Sequence, residues 1–112
     1  EGKMDSMTPA EFMQGKAEGY RIVDAALMPS ISGAPYVDLN TVTGEVKGLG
    51  KEEKLLLICN KGKRAYLLQN RLRFFGYTNT KVLEGGLAVT ERTGYCKCRG
   101  HQESKSMGLP AQ

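Results

Sequence analysis

Cys59 and the residues after it, Asn60-Lys61-Gly62-Lys63-Arg64, hold most of the chemistry this sequence offers. A thiolate is a strong nucleophile, and its reactivity depends on what surrounds it. Gly62 lets the backbone turn tightly and approach a bound group. If a helix follows, the loop's N–H groups and the positive helix end form a cradle for an anion. Lys61, Lys63 and Arg64 add positive charge, so the setting favours the thiolate form of Cys59 and an anionic partner. The bland alternative is a buried thiol that acts as a small hydrophobe. Such a thiol has no need of a basic glycine loop beside it. Arg71 and Arg73, further along, read as a solvated helix face.

The elements that must position this loop are legible in the apolar pattern. Leu55-Leu56-Leu57-Ile58 is apolar on both faces, as expected of a central strand in a parallel sheet, and Cys59 stands at its carboxyl end. A helix is expected from about Lys63 to Phe75, with Ala65, Leu68, Leu72 and Phe75 inward. Gln69, Asn70, Arg71 and Arg73 take its outer face, and Gly76 is its natural stop. Thr80-Lys81-Val82-Leu83 reads as a last strand, ended by Gly85-Gly86.

Upstream, Thr8-Pro9-Ala10-Glu11 is a helix start, with Thr8 as N-cap and Glu11 completing a capping box. That helix should turn Phe12 and Met13 inward and stop near Gly19. Tyr20 to Asp24 reads as a strand with its acid at the carboxyl end, Pro29 to Pro35 as a loop, and Tyr36 to Leu39 as a second short strand. Residues 40–53 suggest a loop with one helical turn. Strands alternating with helices imply crossover units and a mainly parallel sheet of about five strands, with helices on both faces in a three-layer α/β arrangement.

With 112 residues the chain is sized for one domain. The expected division is a domain over residues 1–89 and a poorly ordered tail over 90–112, where apolar periodicity gives way to Lys, Gly, Ser and Gln. The first residue is Glu1, which suggests a processed end, a tag remnant or a domain cut from a longer protein. The longest apolar run, Leu55 to Cys59, is too short to span a bilayer, so no membrane partner is expected. A net charge of +4 suits an anionic substrate or simple solubility, and no interleaving of basic and aromatic residues points to nucleic acid. Three cysteines, an odd number, fit a reducing, cytoplasmic setting better than a disulfide-stapled secreted one. Cys96, Cys98 and His101 have metal-ligand types but lack a fourth ligand, so no metal is expected. One of the two tail cysteines resolving Cys59 as an internal disulfide is the remaining option for them.

The stretch from Leu55 to Gly86 resembles the rhodanese (sulfurtransferase) domain family. The resemblance rests on Leu57-Ile58-Cys59-Asn60-Lys61-Gly62-Lys63-Arg64-Ala65, then Leu72, Phe75-Gly76-Tyr77 and Val82-Leu83-Glu84-Gly85-Gly86. It extends more weakly back to Thr8. It implies that Cys59 attacks the sulfane sulfur of thiosulfate, a persulfide or a polysulfide and becomes a persulfide. A thiol or cyanide acceptor then removes the sulfur. The loop N–H groups from Asn60 to Arg64 would hold the outer sulfur, and Arg64 would bind a donor oxyanion. No metal or organic cofactor is required. Several flavin-dependent disulfide and persulfide reductases end in a similar domain, so a covalently linked reductase is a candidate partner and an accessory role the rival reading.

Two features depart from the family pattern. Asp24 is followed by Ala25 and Ala26 where an Asp-x-Arg is usual, and Pro29-Ser30-Ile31-Ser32-Gly33-Ala34 lacks the usual histidine. A specialised donor is therefore expected, with Asp24 supporting a loop. A related phosphate cradle, in tyrosine and dual-specificity phosphatases, places five residues between Cys and Arg. Here four residues lie between Cys59 and Arg64, a smaller ring that suits sulfur better than phosphate and ranks phosphatase or arsenate reductase lower.

Overall fold

The structure, a computed structural model, describes residues 5–92. Cys96, Cys98, His101 and most of the expected tail lie outside the described residues. Seven elements follow one another among the described residues: β1 (Ser6–Met7), α1 (Pro9–Met13), β2 (Arg21–Asp24), β3 (Leu55–Ile58), α2 (Lys63–Phe74), β4 (Thr80–Leu83) and α3 (Leu87–Arg92). The strands form one parallel sheet in the order β1-β4-β3-β2. All four residues of β3 are buried, as its apolar run on both faces requires.

Alternation along the strands divides the core into two layers. Val23, Leu55, Leu57 and Val82 pack with Ala65, Leu68 and Leu72 of α2. Leu56, Ile58, Met7 and Leu83 pack with Phe12 of α1 and Val89 of α3 on the other face. Helices therefore cover both faces of the sheet. In register, Asp24 pairs with Ile58 and Leu57 with Val82, so the carboxyl ends of β2, β3 and β4 finish at one level. Asp24, Cys59 and Glu84 are brought to the same edge.

Thr8 caps α1 with the full capping box. Among the described residues four strands form where about five were expected. Tyr36 makes one isolated parallel bridge to Asp24, through Val37 N–H to Asp24 O at 3.0 Å and Asp24 N–H to Pro35 O at 2.8 Å. The ladder then stops, because Asp38 turns the chain: its carboxylate accepts from Asn40 N–H and its carbonyl from Thr41 N–H. The missed strand, β1, is two residues long, too short for a period to be read. Residues 40–53 hold turns and no helix.

Two side chains, Met13 and Gln69, depart from the expected facing, and a third, Arg71, makes a contact the sequence did not show. Met13 is exposed, because α1 ends on it and only Phe12 of that pair reaches the core. Gln69 was expected outward but is fully buried. Its amide spans Asp5 and Thr80, donating to Asp5 O at 2.9 Å and Thr80 O at 3.0 Å while accepting from Asp5 N–H. A polar side chain is tolerated there because both its donor and acceptor ends are satisfied. Arg71 lies on the outer face yet ties α2 to the long loop, donating to Leu39 O at 2.7 Å. The residue-89 boundary falls inside α3, where Val89 and Thr90 are both buried. No helix among the described residues is long and apolar enough to cross a membrane.

Candidate active site

Cys59 leaves β3 at its carboxyl end, and the chain reaches α2 within three residues. Gly62 is the N-cap of α2, at φ +105°, a conformation that favours glycine, and it offers no side chain to cap the helix. The thiol fills that role. Cys59 Sγ accepts Gly62 N–H at 2.9 Å and Ala65 N–H at 3.3 Å. The sulfur thus stands where a capping oxygen would, against the partial positive charge of a twelve-residue helix. The N–H groups of Lys63 and Arg64, in the same first turn, meet no acceptor among the described residues. Such unpaired donors suit a further negative atom attached to the sulfur.

Cys59 is 1% exposed. A reacting group must therefore come within the loop, and only a small one fits a ring closed by so few residues. The surrounding charges differ in placement. Lys61 and Lys63 are exposed on the loop, while Arg64 is half-buried and turned toward Asp38, with Nη2 3.5 Å from Oδ1. Arg64 Nε and Nη2 are shielded from solvent without a hydrogen bond, so the guanidinium has donor capacity left over. The Asp38 partner carried no signal in the sequence, since an acid in a turn is commonplace.

The loop is held from two sides. On the β2 side, the fully buried Asp24 carboxylate gathers the next turn, accepting N–H groups from Ala26, Ser30 and Ile31. Asp24 therefore braces a loop and does not point to the sulfur. Within that turn, Leu27 N–H donates to the Asn60 side chain at 3.4 Å, and Tyr36 Oη bonds to Ala26 O and Leu27 O at 2.8 and 2.9 Å. Burial, and then the negative charge of Asp38, hold the Tyr36 hydroxyl above its usual pKa, with Arg64 pulling the other way. Tyr36 stays protonated and keeps its donor.

On the β4 side, Leu87 N–H donates to Cys59 O at 2.9 Å, and Gly86 lies flat against the Cys59 and Asn60 carbonyls. The double glycine reads in the sequence as a strand end. Its role as the loop's backing depends on a contact between segments more than twenty residues apart, which no local pattern reveals. Among the described residues, no group of acids, histidines and cysteines is arranged to hold a metal ion.

Comparison with known proteins agrees with this architecture. A rhodanese-related protein from Thermoplasma volcanium superposes with a TM-score of 0.65 at 23% identity, covering 81% of this chain and 94% of that one. A rhodanese homolog from Thermus thermophilus gives 0.57 at 29% identity, covering 76% and 99%. A NAD-dependent persulfide reductase from A. fulgidus gives 0.56 at 16% identity, and there the match covers 77% of this chain but 16% of the larger protein. No curated protein matches the sequence. The family model for the rhodanese-like domain matches residues 3–92, and with the sulfur-capped helix and the four-stranded parallel sheet it places this chain in the rhodanese-like domain family.

Proposed function

We propose that the protein is a sulfurtransferase in which Cys59 carries one sulfur atom between a donor and an acceptor. The observation that carries this reading is the pair of backbone N–H groups, Gly62 and Ala65, directed at Cys59 Sγ from the first turn of α2. They stabilise a thiolate, and the unpaired Lys63 and Arg64 N–H groups offer the next positions for an added sulfur.

In the first half-reaction the thiolate attacks the sulfane sulfur of thiosulfate, a persulfide or a polysulfide. The bond from that sulfur to the rest of the donor breaks, and the leaving group keeps the electron pair. Lys61, Lys63 and the spare donors of Arg64 attract an anionic donor and its anionic leaving group. In the second half-reaction an acceptor thiolate or cyanide attacks the outer sulfur, and Cys59 leaves as thiolate. Asn60 steadies the loop through its contact with Leu27. Asp24 acts at a distance, by holding the turn that carries Leu27.

A second reading, an accessory domain delivering sulfur to a reductase, is favoured by the likeness to a NAD-dependent persulfide reductase and to a CoADR-RHD structure from Bacillus anthracis, of which this chain covers 18%. Turnover separates the readings. Thiosulfate and cyanide should give thiocyanate at a rate proportional to enzyme, with none from Cys59→Ser. Uptake of sulfur without release to any small acceptor would favour the accessory role. Release of phosphate from an aryl phosphate, lost in Cys59→Ser, would overturn both.

A further inference from the structure

A fixed acid opposes the one shielded cation of the loop. Of Lys61, Lys63 and Arg64, only Arg64 is partly withdrawn from solvent. Its Nε and Nη2 are buried and make no hydrogen bond. These two nitrogens form one edge of the guanidinium, a fork matched to a pair of oxyanion oxygens. Asp38 Oδ1 stands 3.5 Å from Nη2, near enough for its charge to act on the fork. Asp38 is not free to follow the guanidinium, because the same Oδ1 accepts Asn40 N–H at 2.9 Å. Its carbonyl accepts from Thr41 and Val42 N–H, and Val37 N–H ties the preceding residue to Asp24 O.

From this pairing we infer that Asp38 is a specificity-determining residue of the loop. Its charge offsets part of that of Arg64. A donor with an oxyanion bonded to its sulfane sulfur, such as thiosulfate, is thereby disfavoured relative to a persulfide that has none. Lys61 and Lys63 are exposed, so salt screens them and they replace Arg64 poorly. Tyr36 feels both charges: burial and then Asp38 raise its pKa, and Arg64 lowers it. Its hydroxyl bonds to Ala26 O and Leu27 O, in the turn whose Leu27 N–H meets Asn60 of the loop. The two opposed charges therefore act together at the rim of the loop.

This inference rests on the sulfur-transfer reading, in which backbone N–H groups of α2 receive the transferred sulfur without help from the guanidinium. With thiosulfate, Cys59 bonds to the sulfane sulfur, the donor's sulfur–sulfur bond breaks, and sulfite leaves with the electron pair. With 2-hydroxyethyl persulfide, Cys59 bonds to the outer sulfur and the inner sulfur leaves as the thiolate of 2-mercaptoethanol. Neither step draws on an external oxidant or reductant. Only the first brings an oxyanion to a fork that Asp38 already opposes.

Two measurements test it. In Cys59→Ser protein, which can bind thiosulfate but not react with it, the donor is titrated while the Arg64 Nε–H signal is followed by NMR. Adding Asp38→Asn, which keeps an oxygen for Asn40 N–H, should tighten binding by about three- to fivefold, the effect of one such ion pair. Asp38→Ser, which also keeps a turn acceptor, should do the same. Separately, with Cys59 intact, loading rates from thiosulfate and from 2-hydroxyethyl persulfide are compared. Asp38→Asn should raise the ratio of the first to the second by a similar factor. An unchanged or lower ratio, or thiosulfate binding that weakens, would overturn the inference and make Asp38 a support for Arg64 instead. Tighter binding in a protein whose Cys59 takes up sulfur from neither donor would keep Asp38 as a filter on anions and overturn sulfur transfer.

Discussion

Gly86 lies so close to the carbonyl oxygen of Cys59 that any β-carbon placed there would overlap it and the Asn60 carbonyl as well. Gly86 also has φ +63°, in the left-handed region that favours glycine. The strand that ends in Cys59 and the turn that ends β4 are thus in backbone contact. Sulfur capping of α2 depends on that contact, because it fixes where the Cys59 peptide lies.

Gly86→Ala should therefore be more damaging than a surface substitution. The positive φ alone costs about 1–3 kcal/mol, and the overlap forces the loop to move. Urea unfolding should show a lower midpoint, and sulfur uptake at Cys59 should fall in the fraction that remains folded. Gly33→Ala, also at positive φ but with open space around it, should lose stability without losing sulfur uptake.

Asp24→Ala should destabilise the protein by about 3 kcal/mol or more. It would strip three backbone N–H groups of a charged acceptor in a buried site, and each unsatisfied donor costs about 1–3 kcal/mol. Amide exchange should quicken first at Ala26, Ser30 and Ile31. Protection unchanged at these three would show that the carboxylate does not hold the turn.

Arg64→Gln removes the charge beside the loop and the ion pair to Asp38. Loading of Cys59 from thiosulfate should slow by about tenfold or more, in line with loss of a charge-assisted contact. Attack of Cys59 on a neutral dialkyl trisulfide, which leaves an alkyl-capped disulfide or trisulfide on the sulfur and expels an alkyl perthiolate or thiolate, should slow much less. Equal slowing for both donors would mean that Arg64 only shapes the loop.

The ion pair of Lys81 with Asp5 at 2.8 Å raises the Lys81 pKa, chiefly through the hydrogen bond. The protonated form favours the folded state, so this stabilisation is full below the ordinary lysine value of 10.5 and is lost as pH rises through the higher folded value. Lys81→Met should cost about 0.2–1 kcal/mol at neutral pH. The gap between variant and wild type in urea should close above that value. A gap that persists there would assign the effect to packing.

Much of the fold was legible because its signals are local. The capping box at Thr8 and Glu11, the apolar run of β3, the period of α2 and the stop at Gly76 each lie within one element. The fifth strand and Gln69 were misread for a shared reason. Whether Tyr36 to Leu39 continues a ladder depends on the Asp38 turn, and whether Gln69 faces out depends on Asp5 and Thr80, both distant from it in sequence or supplied by the fold. For the site, the spacing of Cys59, Gly62 and Arg64 locates the loop. The partners that shape it, Asp38, Tyr36, Leu27 and Gly86, come from three other segments and carry no spacing to read.

The most direct test of the central claim is intact mass after incubation with thiosulfate or glutathione persulfide. Wild-type protein should gain one sulfur atom, reversible by cyanide, and Cys59→Ser should gain none. No gain with any sulfane donor, or an equal gain in Cys59→Ser, would contradict a sulfur-carrying thiolate at Cys59.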